Sequence, residues 1–352
     1  MTKKLFAILS VLIVASIMLA ACATTTPTEA PVVPEEPTAK VKVCQITDTG
    51  GIDDKSFNAT AWKGITDSQE QLGIEGKFLE SKEVADYEKF LNAFIEEDCD
   101  LIVTVGFLIG DATKAAAEAN PDVKFSIVDY NYDPAIANVT GQIFETDEAA
   151  YLAGYLAAGV TKTGVVGTFG GLPIPTVTIF MDGFYKGVAK YNEVKGTNVQ
   201  VLGWDPAAQT GLFSNSFDDQ QKGNELAKSL MDEGADIIMP VAGPVGLGAA
   251  AAIKERGNAY LIGVDSDWFL TSPEYGDITL TSVMKLMDAT TMQVIKSVID
   301  GTFVGGDVVG TLANNGVTIA PFHDLAGLVP AELAAEIDQL RADIIAGKIT
   351  LD

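Results

Sequence analysis

The chain has 352 residues, of which 47% are hydrophobic, and its formal net charge at pH 7 is −25 because 48 acidic residues outnumber 23 lysines and arginines. This charge disfavours nucleic acid, anionic lipid headgroups and nucleotides as partners, since each of them is bound through clustered positive charge. The chain has a single histidine, His323, so most kinds of zinc site are excluded. A catalytic triad would require His323 itself as the base. We interpret His323 as structural. The expected ligand is therefore neutral or cationic.

The first 22 residues have the pattern of a bacterial lipoprotein signal peptide. Lys3 and Lys4 precede an apolar run at 5–18, and small residues stand directly before Cys22. The apolar run of about 14 residues is short for a membrane span, which needs about 20. The small residues before a cysteine resemble a lipobox. This pattern predicts cleavage before Cys22, acylation of that cysteine and a lipid-anchored location on the extracytoplasmic side of the cell membrane.

Residues 23–40 are rich in Thr, Pro, Ala and Glu and show no apolar periodicity. Such a composition cannot bury a core, and a Pro-rich stretch behaves as a semi-extended spacer. We therefore interpret 23–40 as a disordered tether between the lipid anchor and a folded substrate-binding domain at 41–352. That domain is long enough for two lobes of ordinary size.

The first predicted strand of the domain leads into a loop that is rich in glycine and aspartate, within residues 46–62, and then into a predicted helix. Gly50 and Gly51 allow the backbone to turn, and ligands of open α/β sheets bind at the carboxyl ends of strands. The spacing does not match a phosphate-binding loop, and an EF-hand would need an acidic residue where Ala59 stands. The loop therefore predicts a ligand that is neither a phosphate nor a calcium ion.

The side chains of this loop suit an uncharged polar ligand with a flat face. Carboxylates such as Asp48 accept hydrogen bonds from hydroxyl or amino groups, and Phe57 offers a ring for stacking. The competing interpretation is that Asp53 or Asp54 caps the helix and that Phe57 belongs to the core.

Two cysteines remain for the folded domain. Cys44 lies on the first predicted strand, and Cys99 lies just before a predicted strand at 101–105. A disulfide between them is possible outside the cytoplasm if the two strands are neighbours. Two buried thiols remain an equally supported alternative.

Strand and helix patterns alternate through the rest of the chain. After the first, the predicted strands lie near 77–79 and at 101–105, 124–128, 139–144, 164–169, 199–204, 236–240, 260–264 and 279–284. Polar or glycine residues follow several of these strands, namely Asp129, Gly243, Asp265 and Lys285.

This alternation predicts the α/β class, with two Rossmann-like lobes joined by a hinge. The expected first lobe contains about 41–143 and 267–300, and the expected second lobe contains about 144–266 and 301–352. A cleft between two such lobes is a usual place for a small ligand, and hinge closure would enclose it.

Several segments together carry a specific resemblance. They are TDTGGIDDKSFN at 47–58, CDLIVTVGF at 99–107, FETDEAAYLAGYLAA at 144–158, VAGPVGLG at 241–248, IGVDSD at 262–267 and SVMK at 282–285. The chain resembles the basic membrane protein family, the substrate-binding lipoproteins of ABC importers that include purine nucleoside receptor lipoproteins. The resemblance implies a type I periplasmic-binding-protein fold, with two lobes joined by three crossovers.

For the base of a nucleoside, the resemblance implies four contacts. Phe57 would stack on the purine, Asn58 and Asp48 would lie at the base or its edge, and Asp129 would face the polar edge of the base. For Asp48 and Asp129, a role in an ordinary loop turn remains the alternative.

For the ribose, the resemblance implies that Asp265 and Lys285 hold the hydroxyls and that Gly243 lets the backbone approach the ligand. One carboxylate can accept both hydroxyls of a diol, and a nearby ammonium keeps that carboxylate ionised. The alternative is a strand-end ion pair without a ligand role. A second aromatic residue should complete the base sandwich from the second lobe, and Phe169 and Trp268 are the two candidates.

We therefore expect a lipid-anchored, monomeric binding protein that captures purine nucleosides and delivers them to an ABC permease and its ATPase, without cofactor or metal. A sugar or another neutral polar metabolite is the alternative ligand. A nucleoside hydrolase is disfavoured, because no nucleophile with an adjacent base and no GxSxG motif is evident. A surface sensor or adhesin without transport also remains open.

Overall fold

Two six-stranded sheets form the framework of residues 40–351, the part of the chain that the computed structural model describes. The predicted signal peptide, Cys22 and nearly all of the predicted tether lie outside these residues. Among residues 40–351, no helix has both the length and the hydropathy that crossing a membrane requires.

Strands and helices alternate along the described chain, as the sequence pattern predicts. The strands are β1 (Lys42–Thr47), β2 (Glu75–Glu80), β3 (Leu101–Val105), β4 (Lys124–Val128), β5 (Val139–Phe144), β6 (Val165–Gly170), β7 (Gln200–Leu202), β8 (Trp204–Asp205), β9 (Thr210–Gly211), β10 (Ile237–Val241), β11 (Tyr260–Asp265), β12 (Thr279–Lys285), β13 (Gly306–Gly310) and β14 (Val317–Ile319). The α-helices are α1 (Phe57–Leu72), α2 (Asp86–Glu96), α3 (Gly110–Ala119), α4 (Thr146–Val160), α5 (Pro175–Lys195), α6 (Gln220–Asp232), α7 (Val245–Arg256), α8 (Trp268–Thr271), α9 (Met287–Ile299) and α10 (Ala331–Ile345).

Each lobe is built on one sheet, and the two sheets have equivalent strand orders. The first sheet runs β13, β5, β4, β3, β1, β2, and the second runs β14, β12, β11, β10, β6, β7. All neighbouring strands are parallel except β12 and β14, which are antiparallel. The chain passes between the sheets after β5, after β12 and after β13, which gives three crossovers. The carboxyl ends of equivalent strands therefore supply matching positions in the two lobes.

The expected lobe boundaries are corrected by this arrangement at two places. The range 267–300 was assigned to the first lobe, yet β12 pairs with β11 in the second sheet. The range 301–352 was assigned to the second lobe, yet β13 pairs with β5 in the first sheet. The alternating pattern identifies strands but does not specify their partners, so the last strands cannot be assigned to a sheet from the pattern.

Helices α4 and α5 approach each other closely in the second lobe because of glycines. A Cβ atom at Gly154 would lie 2.0 Å from the carbonyl oxygen of Phe184, and one at Gly187 would lie 2.0 Å from that of Tyr151. Any larger residue would separate the helices. This packing fixes α5, whose side chain Phe180 points towards the space between the lobes.

A disulfide joins Cys44 in β1 to Cys99, which lies just before β3. The two Cα atoms are 6.1 Å apart, and β1 and β3 are neighbours in the first sheet. Of the two alternatives for these cysteines, the structure shows the disulfide.

Candidate functional site

A cleft with about 630 Å³ of empty space, part of it open to solvent, lies between the strand ends of the two sheets. It is lined by six of the seven residues that the sequence predicts for ligand binding: Asp48, Phe57, Asp129, Gly243, Asp265 and Lys285. The two lobes contribute equally, since three of these residues come from each. The structure therefore brings distant parts of the sequence to one place.

The start of α1 is fixed by Asp54, which accepts three backbone hydrogen bonds. The donors are the N–H groups of Ser56 at 3.0 Å, Asn58 at 2.7 Å and Ala59 at 3.0 Å. Burial raises the pKa of Asp54 to about 6. A helix cap at Asp54, one part of the competing interpretation, is therefore present. The cap also places Phe57 at the first position of α1, where the ring is half-buried and lines the cleft.

Asn58 is the predicted ligand residue that does not line the cleft. Its side-chain amide donates to Asp48 Oδ1 at 2.6 Å and to Asp54 Oδ2 at 3.0 Å, and its Oδ1 accepts from the backbone N–H of Asp48 at 3.1 Å. The side chain is only 1% exposed. These bonds hold the Asp48 carboxylate in place, and Asp48 Oδ1 also accepts from the backbone N–H of Gly50 at 2.8 Å. Asp48 Oδ2 accepts no hydrogen bond from residues 40–351.

Asp129 and Asp265 occupy equivalent positions at the ends of β4 and β11. Both have left-handed backbone conformations, with φ of 67° and 69°. Aspartate is several-fold enriched in this conformation relative to most other residues. The sharp turn at each strand end brings both carboxyl groups into the cleft lining, where each residue is 7% exposed.

Lys285, at the end of β12, forms an ion pair across the cleft with Asp129. Its Nζ lies 2.7 and 2.9 Å from the two carboxylate oxygens of Asp129 and 3.9 Å from Asp265 Oδ1. Three phenylalanine rings surround this ammonium, with centroids 5.0 Å away for Phe57, 5.3 Å for Phe180 and 5.5 Å for Phe144. Lys285 is 2% exposed, so carboxylates and ring faces together replace its water shell.

The electrostatics of the cleft are dominated by buried carboxyl groups. Burial raises the pKa of Asp265 to about 6, although Lys285 opposes this shift. Burial also raises the pKa of Asp129, again against Lys285, and that of Asp48 against its hydrogen bond from Asn58. Lys285 is the cation in the lining, so the site favours ligands that donate hydrogen bonds and disfavours anions.

Other hydrogen bonds join the two lobes beside the cleft. Ser56 Oγ donates to Asp265 Oδ2 at 2.9 Å and lies 3.1 Å from the carbonyl oxygen of Val264. Ser266 Oγ donates to the carbonyl oxygen of Lys55 at 2.9 Å. The loop before α1 is therefore held against the end of β11.

The aromatic residues of the second lobe that reach the cleft differ from the two expected ones. Phe169 is fully buried in the core, and Trp268 is 1% exposed with its indole N–H donating to the carbonyl oxygen of Val264. Phe180 and Phe217 line the cleft instead. Phe180 lies within an apolar helix pattern, but no periodicity marks Phe217, which lies in an irregular loop. His323 lies outside the lining; its Nε2 is 2.7 Å from Asp267 Oδ2.

Comparison with known proteins decides what kind of protein has this cleft. Residues 41–350 match the model of the Bmp family, described as ABC transporter substrate-binding protein PnrA-like. The chain belongs to the Bmp family. This membership confirms the resemblance found in the sequence, and it confirms a binding protein rather than an enzyme.

Relatives of this Bmp-family chain span most of its length. Basic membrane protein A of Borreliella burgdorferi is 34% identical over 309 residues, which cover 86% of this chain and 85% of that protein. The ABC transporter nucleoside-binding protein BmpA of Lactococcus lactis is 29% identical, with coverage of 88% and 89%. The crystal structure of an ABC transporter solute-binding protein from Aeropyrum pernix has a TM-score of 0.79 at 26% identity, with coverage of 88% and 92%. The expected α/β fold with two lobes is thereby confirmed.

Membership of the Bmp family also defines the general role. A substrate-binding protein of an ABC transporter takes a small-molecule ligand, works with a membrane permease and is associated with the membrane on its extracytoplasmic side. Within residues 40–351, no group of three or more His, Cys, Asp or Glu side chains is arranged to hold a metal ion.

Proposed function

We propose that this Bmp-family protein captures purine nucleosides in the cleft and delivers them to the permease of an ABC importer, whose ATPase drives transport. The proposal is carried by one observation: a stacking ring, a diol acceptor and the cation that balances it meet in one cleft. Lys285 Nζ is 5.0 Å from the Phe57 ring centroid and 3.9 Å from Asp265 Oδ1. These distances suit a ligand in which a flat base and a pentose are directly joined.

At the base end, Phe57 stacks on one face of the purine. Phe217 is the ring we assign to the other face, because it is half-buried, whereas Phe180 is 2% exposed and packs beside Lys285. Asp48 Oδ2 accepts a hydrogen bond from an N–H group at the edge of the base. Asn58 acts as a positioning residue, since its amide is occupied in holding Asp48.

At the ribose end, Asp265 accepts hydrogen bonds from the two ring hydroxyls, and Lys285 keeps its carboxylate ionised. Asp129 lies 2.7 Å from Lys285, so we assign it to the ribose end in place of the base-edge role expected from sequence. Gly243 leaves room for the ligand beside the backbone, because a Cβ atom there would meet only the carbonyl oxygen of Phe217, at 3.8 Å.

A thermal-shift panel with ligand-free protein tests this function. Inosine, guanosine and adenosine are expected to raise the midpoint of unfolding, because a ligand that binds only the folded state stabilises it by mass action. Cytidine, ribose and arabinose serve as comparisons for the smaller base and for the sugar alternative. The nucleoside proposal fails if none of the nucleosides raises the midpoint, and a shift with the sugars alone would favour a sugar-binding protein.

The lipid anchor belongs to the same proposal, since a tethered monomer would keep captured ligand near its permease. Replacement of the predicted acylation site, Cys22→Ala, is expected to leave the protein without attached acyl chains. Metabolic labelling with palmitate should be lost in the same variant. Labelling that persists in Cys22→Ala would contradict the proposed anchor.

A further inference from the structure

A second cavity, with about 840 Å³ of empty space that is partly open to solvent, adjoins the cleft. The two share four lining residues, namely Phe107, Asp129, Thr176 and Lys285. The ion pair between Asp129 and Lys285 therefore forms part of the wall of both spaces. Whatever binds beside this ion pair in the cleft has a neighbouring space into which it can extend.

The lining of the second cavity is mainly apolar. The residues that line this cavity alone include Ile143 and Phe144 from β5 and Ile179 from α5, and beside them the polar Tyr130 and Asn131. Its charged lining residues are Asp129 and Lys285, which neutralise each other. Such walls suit an uncharged group with an apolar body.

One polar group in this lining has no partner. The hydroxyl of Thr146 is buried, with the residue 1% exposed, and it makes no hydrogen bond within residues 40–351. Buried hydroxyl groups in proteins are nearly always paired with protein, water or ligand. The oxygen of Thr146 is closed off from the second cavity, however, so it offers no donor to a group that enters there.

The position of the second cavity relative to the ribose follows from the lining, and this step rests on the proposed function. Asp265 lines the cleft but not the second cavity, whereas Asp129 and Lys285 line both. In a nucleoside whose diol is bound to Asp265, a substituent on the 5′ carbon that extends past Asp129 and Lys285 would enter the second cavity.

We propose that the second cavity is a subsite for a neutral 5′ substituent of the bound nucleoside, with an apolar body. A 5′-alkylthio group has this chemistry. A 5′-phosphate does not, because it would meet Asp129 and because Lys285 is already paired. The protein therefore accepts 5′-thioether nucleosides and rejects nucleotides.

Calorimetry with matched ligands tests the subsite on the full-length protein. The probes are adenosine and inosine, their 5′-deoxy-5′-methylthio derivatives and their 5′-monophosphates. Each methylthio compound is expected to bind within about tenfold of its parent or more tightly, and each monophosphate more than about a hundredfold more weakly. If the parent nucleoside binds and its methylthio derivative binds more than about tenfold more weakly, the subsite is overturned and the proposed function is not. No binding of either parent overturns the proposed function as well.

A filled cavity supplies the second test. Ile179→Trp is expected to weaken the methylthio compounds by more than about tenfold relative to their parents. Val194→Trp is the matched control, because Val194 lies on the same helix and lines neither the cleft nor the second cavity. In this variant the ratio of the affinities for the methylthio compound and its parent should not change. An unchanged ratio in Ile179→Trp overturns the subsite. Ile143→Phe, which fills the cavity from β5, gives the same readout if Ile179→Trp does not fold.

Discussion

At the scale of single residues, Phe57 and Phe217 carry the stacking part of the account. Phe57→Ala and Phe217→Ala should each weaken purine nucleoside binding by about 1 to 3 kcal/mol, the range found for bases on aromatic side chains. Titration calorimetry measures the change. Phe78→Ala is the control, since this ring is 37% exposed and packs on Trp62 outside the cleft. Equal affinities for the Phe57 variant and the control would show that Phe57 does not stack on the ligand.

Replacement of Lys285 should destabilise the folded protein, because buried carboxylates around it would lose their counter-ion. In Lys285→Met the carboxylates of Asp129 and Asp265 lose their cation, so the free energy of unfolding at pH 7 should fall by about 3 to 5 kcal/mol. The loss should be smaller at pH 5, where these groups are more easily protonated. Urea unfolding at both pH values measures it. The double variant Lys285→Met with Asp129→Asn should recover part of the loss, and no recovery would show that the two residues are not coupled.

The pH dependence of Asp265 gives opposite signs for stability and for binding. Its pKa is raised from 3.8 to about 6 in the folded protein, so the folded state holds the proton more tightly than the unfolded state. The free energy of unfolding should therefore decrease as pH rises through that window, by about 3 kcal/mol for this group. Asp54 acts in the same direction, because its pKa is also about 6.

Nucleoside binding should instead weaken as the pH falls, because protonated Asp265 no longer accepts from both hydroxyls of the diol. Affinity at pH 5 should be about tenfold lower than at pH 7 for a group with a pKa near 6. Calorimetry at the two pH values, with urea unfolding of the ligand-free protein beside it, separates the two effects. Affinity that is unchanged or higher at pH 5 would contradict an ionised acceptor at Asp265.

The strand-end rule explains why site residues that were predicted from the family resemblance meet in one cleft. Asp129, Asp265 and Lys285 each stand where an apolar run stops, and the carboxyl ends of parallel strands meet at one edge of a sheet. The bonds from Asn58 to Asp48 could not be predicted, because they depend on how the loop turns. Phe217 was missed for a related reason: its loop has no periodicity, and its position depends on tertiary packing.

At the scale of elements, the disulfide between β1 and the segment before β3 should contribute stability without affecting the site. It closes a sequence separation of 55 residues, for which chain entropy gives about 4 kcal/mol, with about 2 to 4 typical of measured cases. The double variant Cys44→Ala with Cys99→Ala should lose stability of this order in urea unfolding. Its nucleoside affinity should be unchanged, because neither cysteine lines the cleft. A large loss of affinity would link the disulfide to the geometry of the loop after β1.

Hydrophobic patterns predicted the strands but not the sheet to which each strand belongs. The sequence predicted most of the strands, because continuous apolar runs are typical of strands buried on both faces. It misplaced β12 and β13, because the chain crosses between the sheets after β12 and not before it, and the position of a crossover depends on long-range pairing. The correct assignment matters for the site, because it places Lys285 on the second lobe and makes its ion pair with Asp129 a contact between lobes.

At the scale of the whole molecule, two sheets with equivalent strand orders present equivalent acids to one cleft. Asp129 and Asp265 stand on opposite sides, and Lys285 lies near both. Ser56 adds a hydrogen bond from the first lobe to Asp265 on the second. A ligand that bridges these groups engages both lobes at once, which is how ligand binding can favour the closed arrangement of a hinged protein.

The central claim is that one cleft binds the base and the pentose of the same molecule. Comparing the affinity for a whole nucleoside with the affinities for its two fragments tests this claim most directly. Calorimetry with the tightest-binding purine nucleoside should be compared with its free base and with free ribose on the same protein. The account predicts that each fragment binds at least about a hundredfold more weakly than the nucleoside, because joining two contacts multiplies their effect. Ribose that binds as tightly as the nucleoside would contradict it.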